Sequence, residues 1–222
     1  MLQSDILGVV FVYSYVAILL FITEKILSKK YPVYSRKILH IMVGNIAFIL
    51  PIFQTREIMA FFAAAPFIII TFFMSPYSPL KIIQGKTSKA GHGLGLIYYA
   101  VTWTILAYFF FDHKEIIAIG ILAMSYGDGL ASIIGLKYGN KKYKIIKERK
   151  SYIGSFFMFI FTLLLMIIAL IYYNVSLDYN KALLLTTIAA ISAIIEGLTP
   201  FGFDNLSVPL ITAIIYWYAM VT

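Results

Sequence analysis

The chain has 222 residues, 61% of them hydrophobic and only 13% charged, with a net charge of +8. A water-soluble domain is about 45–50% apolar and roughly 25% charged, so this composition excludes one, and the mean hydropathy of +0.89 agrees. The absence of cysteine excludes disulfide frameworks, thiolate metal sites and cysteine nucleophiles, while the positive balance points to cytoplasmic loops and anionic head groups rather than nucleic acid.

Apolar runs near the length that spans a bilayer, about 20 helical residues, recur along the chain. Hydropathy predicts eight transmembrane helices over about 5–23, 38–53, 57–74, 94–111, 115–136, 152–173, 182–198 and 206–221. The connections are too short to fold separately, so residues 1–222 read as a single transmembrane catalytic domain. No internal repeat supports an inverted-repeat transporter plan. No cleavable signal peptide is evident, because no basic segment precedes the first apolar run.

The connection after the first span carries Lys25, Lys29, Lys30, Arg36 and Lys37. The one after the third carries Lys81, Lys86 and Lys89, and the one after the fifth carries Lys137, Lys141, Lys142, Lys144, Lys147, Arg149 and Lys150. Those fifteen cations fall on one face, against Arg56, Lys114 and Lys181 on the other. The expected fold is therefore an all-α, polytopic integral membrane bundle with the cation-rich loops in the cytoplasm and both termini extracytoplasmic.

Polar residues inside apolar spans mark where chemistry is to be sought. On the second span Arg36 and His40 are one turn apart, with Lys37, Gly44 and Asn45 following the same region. Arg36 and Lys37 read equally as interfacial anchors; His40, one turn deeper, is harder to dismiss, with a structural histidine as the alternative. Gly91-His92-Gly93-Leu94-Gly95 is a flexible entry to the fourth span, and His113 on the far face reads as solvated. Gly85-Lys86-Thr87 resembles a P-loop tail, but Leu80 stands where the first glycine belongs.

Asp128, in Gly127-Asp128-Gly129-Leu130-Ala131-Ser132, is the strongest signal. A carboxylate in hydrocarbon costs at least about 2.5–3.5 kcal/mol, so it faces a bundle interior or a watery cavity and has a partner. Gly127, Ala131, Gly135 and Gly139 recur every four residues, a seam that lets another backbone or a ligand approach. The bland alternative is a packing seam whose Asp is paired to a base. Lys150-Ser151 with Gly154-Ser155 opens the sixth span with small and hydroxyl residues, a pattern suited to phosphate at a helix N-terminus. The basic loop before it also fits plain attraction to anionic lipid. Glu196 ends the seventh span, and Asp204-Asn205 follow a Gly/Pro break. This is a hard-oxygen set that suits Mg²⁺, or else a helix cap beside an interfacial Glu.

Gly127-Asp128-Gly129-Leu130-Ala131-Ser132-Ile133-Ile134-Gly135 with Lys137-Tyr138-Gly139, then Lys150-Ser151 and Gly154-Ser155, then Glu196 and Asp204-Asn205 with Pro209, together resemble the CTP-dependent lipid-alcohol kinases. That family includes dolichol, phytol and CTP-type diacylglycerol kinases and is distantly similar to phosphatidate cytidylyltransferase. Arg36-Lys37 with His40 and Gly44 resembles its amino-terminal element. Ile153 stands where many members have Glu, and His92 where some have an acidic residue. The resemblance implies transfer of the γ-phosphate of CTP to the hydroxyl of a polyprenol, dolichol-like or diacyl lipid with a divalent metal. On this reading Asp128, Glu196 and Asp204 hold Mg²⁺ against the CTP phosphates, with Asp128 the first choice to accept the alcohol proton. Lys150, Ser151, Gly154 and Ser155 cradle phosphate, helped by Arg36, Lys37, His40 and Lys137, and Asn205 completes the metal shell or orients the nucleotide.

The expected partners are CTP, a membrane lipid alcohol and the bilayer; nucleic acid is not among them, and an oligomer is compatible with the sequence. The rival enzyme is a CDP-lipid-forming cytidylyltransferase, disfavoured because its Pro-Lys-Arg/Lys-Thr-x-Glu-Gly run is missing. An ion- or proton-coupled transporter is disfavoured because the polar residues gather on one side of the membrane.

Overall fold

The structure, a computed structural model, describes residues 2–81, 84–85, 93–146 and 148–221. Lys86, Lys89, Gly91, His92 and Lys147, all noted in the sequence, lie outside the described residues. In chain order the helical segments are α1 (Gln3–Lys29), α2 (Pro32–Ile52), α3 (Ile58–Met74), α4 (Gly95–Phe109), α5 (Lys114–Tyr138), α6 (Tyr152–Tyr172), α7 (Tyr179–Leu198) and α8 (Asp204–Val221). Among the described residues, α1, α2, α5, α6 and α7 are long and apolar enough to cross a membrane, and α3 and α4 are shorter apolar helices.

One element departs from the all-helical expectation. Lys142–Ile145 (β1) and Glu148–Ser151 (β2) form an antiparallel hairpin with Lys142 opposite Ser151 and Lys144 opposite Arg149. Its side chains alternate as a half-buried strand requires: Tyr143, Ile145, Glu148 and Lys150 turn inward while Lys144 and Arg149 are exposed. Tyr143 Oη sits 2.6 Å from Ser155 Oγ and fastens the hairpin to the start of α6.

Helix α5 is the axis of the bundle. Ile116, Ile117, Ile119, Ile121 and Leu122 are fully buried, and α2, α6 and α8 pack around it. The outward side of α1, by contrast, exposes Ile6, Leu7, Val10, Phe11, Ile18 and Phe21, an apolar exterior that only lipid can cover without cost. Inside the bundle, polar groups are matched across helices. Ser192 and Thr212 share a 2.7 Å hydrogen bond between α7 and α8. Asn45 Nδ2 donates to Tyr15 Oη at 2.9 Å and its carbonyl accepts from Tyr126, so Asn45 ties α1, α2 and α5 together.

Two local devices shape the end of the bundle that carries the hairpin. Residues Ala123–Asp128 of α5 wind as a π-helix before α-helical geometry resumes at Gly129; such wide turns shift the side-chain register and are frequent at functional sites. In α8, Pro209 has no N–H for the Asn205 carbonyl four residues earlier. Thr102 Oγ1 on α4 donates to that carbonyl at 2.9 Å instead, which fixes the first turn of α8.

Candidate functional site

The site is assembled from five helices and the hairpin around a polar cavity of about 300 Å³. That space lies at the lower end of the roughly 300–1,000 Å³ of ordinary small-molecule sites. Arg36, Lys37 and His40 enter from α2, Asp128 and Ser132 from α5, Lys142 and Lys150 from the hairpin, Ser155 from α6, Glu196 from α7, and Asp204 and Asn205 from α8.

At the floor, Asp128, Glu196 and Asp204 each present an oxygen within 4.8 Å of the others. Their convergence follows from the local folds that hold them. The π-helix places Asp128 at the helix junction. Glu196 sits in the last turn of α7, and a left-handed turn at Phe201 (φ 62°) and Gly202 (φ 76°) brings the chain back so that Asp204 opens α8. The Phe201 N–H donates to Glu148 Oε1 at 2.6 Å, so the hairpin braces the turn.

Cations surround these acids. Lys150 Nζ donates to Glu196 Oε1 at 2.7 Å and to the Thr199 carbonyl at 3.2 Å, and lies 3.8 Å from Asp204 Oδ2. Burial alone would weaken its charge; the Glu196 and Asp204 carboxylates outweigh that and hold the ammonium above its ordinary range. On the opposite wall Lys37 Nζ is 3.4 Å and His40 Nε2 3.7 Å from Asp128 Oδ2. Close packing keeps these walls together. A methyl group on Gly135 would meet Ser151 Oγ at 2.7 Å, so glycine there lets the end of α5 lie against the start of α6.

The structure thus brings together Asp128, Glu196, Asp204, Arg36, Lys37, His40, Lys150, Ser151, Gly154, Ser155 and Asn205. Lys137, expected among the phosphate contacts, does not line the cavity; it is exposed with its ammonium 5.0 Å from the Tyr138 ring centre. Ser151 Oγ already accepts the Gly154 N–H at 3.1 Å as the N-cap of α6, so that N–H is engaged within the protein. His113, expected to be solvated, lies 3.3 Å from Glu115 at the other end of the bundle.

Sequence reasoning missed Lys142, Glu148 and Arg149, which also line the cavity. Their signal was the alternation in Lys142-Tyr143-Lys144-Ile145 and Glu148-Arg149-Lys150-Ser151, hidden in a run that also fits a basic loop lying on anionic lipid.

The donor set fits a hard divalent cation. Three carboxylates converge, and Asn205 Oδ1, whose residue lines the same cavity, is buried without a hydrogen-bond partner among the described residues. A buried amide oxygen left unpaired is costly, and a bound cation would satisfy it. A Lys ammonium already occupies part of the same ground.

A search of characterised proteins finds relatives over most of the chain. A phytol kinase of Synechocystis sp. is 32% identical over 190 residues, which cover 82% of this chain and 78% of the relative. Phytol kinase 1 of Arabidopsis thaliana, a chloroplastic protein, is 35% identical over 196 residues, covering 80% of this chain and 64% of its own. A probable chloroplastic phytol kinase of Triticum aestivum is 29% identical over 198 residues, covering 82% and 65%. The chain therefore spans less than two thirds of the length of the Arabidopsis and Triticum relatives. No family profile matches the chain, and no solved structure is significantly similar to it.

Proposed function

This chain belongs to the phytol kinase family, and from that premise we propose that it is a membrane-embedded kinase that phosphorylates the hydroxyl of a single-chain isoprenoid alcohol with CTP and Mg²⁺. The observation that carries the reading is the meeting of three carboxylates with a ring of cations in one cavity, the charge pattern that phosphoryl transfer demands. CTP as donor rests on the resemblance of the Gly127–Gly139 and Lys150–Ser155 blocks. The proposed topology is eight crossings, with the hairpin end in the cytoplasm, where nucleotide is available.

Asp128, Glu196 and Asp204, with Asn205 Oδ1, would hold the metal, which supplies charge neutralisation to the β- and γ-phosphates. Arg36, Lys37, Lys142 and Arg149 bind the remaining phosphate oxygens, and Ser155 adds a hydroxyl. Lys150 bridges Glu196 and Asp204 in the resting protein and turns toward phosphate when nucleotide arrives. The alcohol oxygen attacks the γ-phosphorus, its proton passes to the Asp128 carboxylate, and the bond to the β-phosphate oxygen breaks. The products are a lipid monophosphate and CDP.

The test is a matrix of nucleoside triphosphates against isoprenoid alcohols, sterols and diacylglycerol with purified protein and Mg²⁺. A lipid monophosphate formed fastest from CTP and an isoprenoid alcohol supports the reading; no phosphorylated alcohol under any pairing overturns it.

A further inference from the structure

A second cavity lies directly against the first, and His40 lines both. It is a narrow space of about 80 Å³ between α1, α2, α3 and α4, open on one side. Along α4 it runs from Leu96 to Ala107, eleven helical steps, or roughly 16 Å. That is about half the thickness of a hydrocarbon core. Val16, Leu39, Met59, Phe67 and Ala100 are typical of its wall. Two of its polar side chains are already engaged: Thr71 Oγ1 donates to the Phe67 carbonyl at 2.6 Å, and Tyr99 Oη shares a 2.8 Å hydrogen bond with Ser125. The space has little to offer a head group and suits a hydrocarbon chain.

At the end shared with the polar site, His40 is held from two sides. Its Nε2 lies 3.2 Å from the Met124 carbonyl, and its ring meets Tyr99 edge-on at 4.8 Å. The same nitrogen is 3.7 Å from Asp128 Oδ2. A chain threaded through the apolar cavity therefore delivers its terminal oxygen beside the Asp128 carboxylate.

We propose that this cavity is the acceptor site for the tail of a single-chain lipid alcohol, seated with its hydroxyl at His40 and its far end near Val12, Phe53 and Met59. The inference rests on the kinase reading for the identity of the head group, but the tail site is defined by its own walls. A single tail in this cavity leaves no lined place for a second acyl chain, so the proposal predicts that diacylglycerol is a poor acceptor.

The direct test uses the wild-type protein in lipid nanodiscs and hexadecanol carrying a terminal diazirine. Photolysis is expected to label α1 near Val12, the start of α3 and the far part of α4, and excess unlabelled phytol should displace at least about nine-tenths of that label. Label confined to lipid-facing residues such as Phe11, Phe62 and Phe109, or label displaced equally by diacylglycerol, overturns the proposal. A second arm compares Ala63→Phe, which fills the far end, with wild type on long and short alcohols. The long-to-short ratio of kcat/KM should fall by about tenfold, the low end of what overpacking produces; an unchanged ratio in a folded variant overturns the proposal. Cavity labelling without phosphorylation of any alcohol would remove the kinase reading and keep the tail site. Phosphorylation with label only outside would do the reverse.

Discussion

Replacing Lys150 by methionine isolates the electrostatic design of the site. The ammonium lies 2.7 Å from Glu196 and 3.8 Å from Asp204, with Asp128 completing the acidic cluster. At an effective dielectric of about 20 the first contact alone is worth about 6 kcal/mol of Coulomb attraction before desolvation. Deleting one partner of a buried pair costs about 3–5 kcal/mol net, because the remaining charge stays buried. Lys150→Met should therefore lower the unfolding midpoint in detergent by on the order of 10 °C in metal-free buffer. A divalent cation bound by the three carboxylates restores the missing positive charge, so millimolar Mg²⁺ should return most of that loss and stabilise the variant more than the wild type. Thermal unfolding of both proteins, with and without Mg²⁺, measures this. Equal stability of variant and wild type without metal, or no preferential rescue by Mg²⁺, would refute the claim that cations and carboxylates are balanced in one cluster.

Asp128→Asn keeps the side-chain shape and removes the proton acceptor; lipid phosphate formation by the folded variant should fall by at least about 100-fold. Thr102→Val strips the donor from the Asn205 carbonyl that Pro209 leaves free, and should cost about 1–3 kcal/mol in stability, measured by denaturant or thermal unfolding. Asn205→Ala should raise the Mg²⁺ concentration for half-maximal activity by about tenfold, with little change in kcat at saturating metal. The Lys150 ammonium is held above its ordinary 10.5, so its contribution is fully present through neutral pH and is lost only as pH rises through that elevated value. The alkaline fall in stability should be shallower in Lys150→Met, as a pH series of unfolding midpoints would show.

The helical segments were legible because an apolar run must pair its own backbone groups, a constraint that acts locally, and five of them are long and apolar enough to cross a membrane. Asp128, Glu196 and Asp204 stood out for the same reason: a carboxylate at the border of an apolar helix is costly, so its presence signals a partner or a cavity. What escaped the sequence is tertiary. The hairpin lies in a stretch of cations that reads as a loop lying on anionic lipid, and its two strands are half-buried where Tyr143 and Lys150 meet Ser155 and Glu196. Lys150, expected to grip phosphate, is first of all a counterion to Glu196, a relation set by α7 folding back beside β2. Lys137 shares the α5 terminus with Gly135, yet it does not line the cavity that Gly135 borders. Thr102 gave no signal on its own, since its role exists only where α8 carries Pro209.

The most direct measurement of the central claim follows two labels of CTP, one in the α- and one in the γ-phosphate, during incubation of the purified protein with Mg²⁺ and an isoprenoid alcohol. The account predicts γ-label in the lipid fraction, α-label remaining with CDP, and neither transfer in Asp128→Asn. The appearance of α-label in lipid with γ-label in pyrophosphate, or hydrolysis of CTP with no lipid labelled, would contradict it.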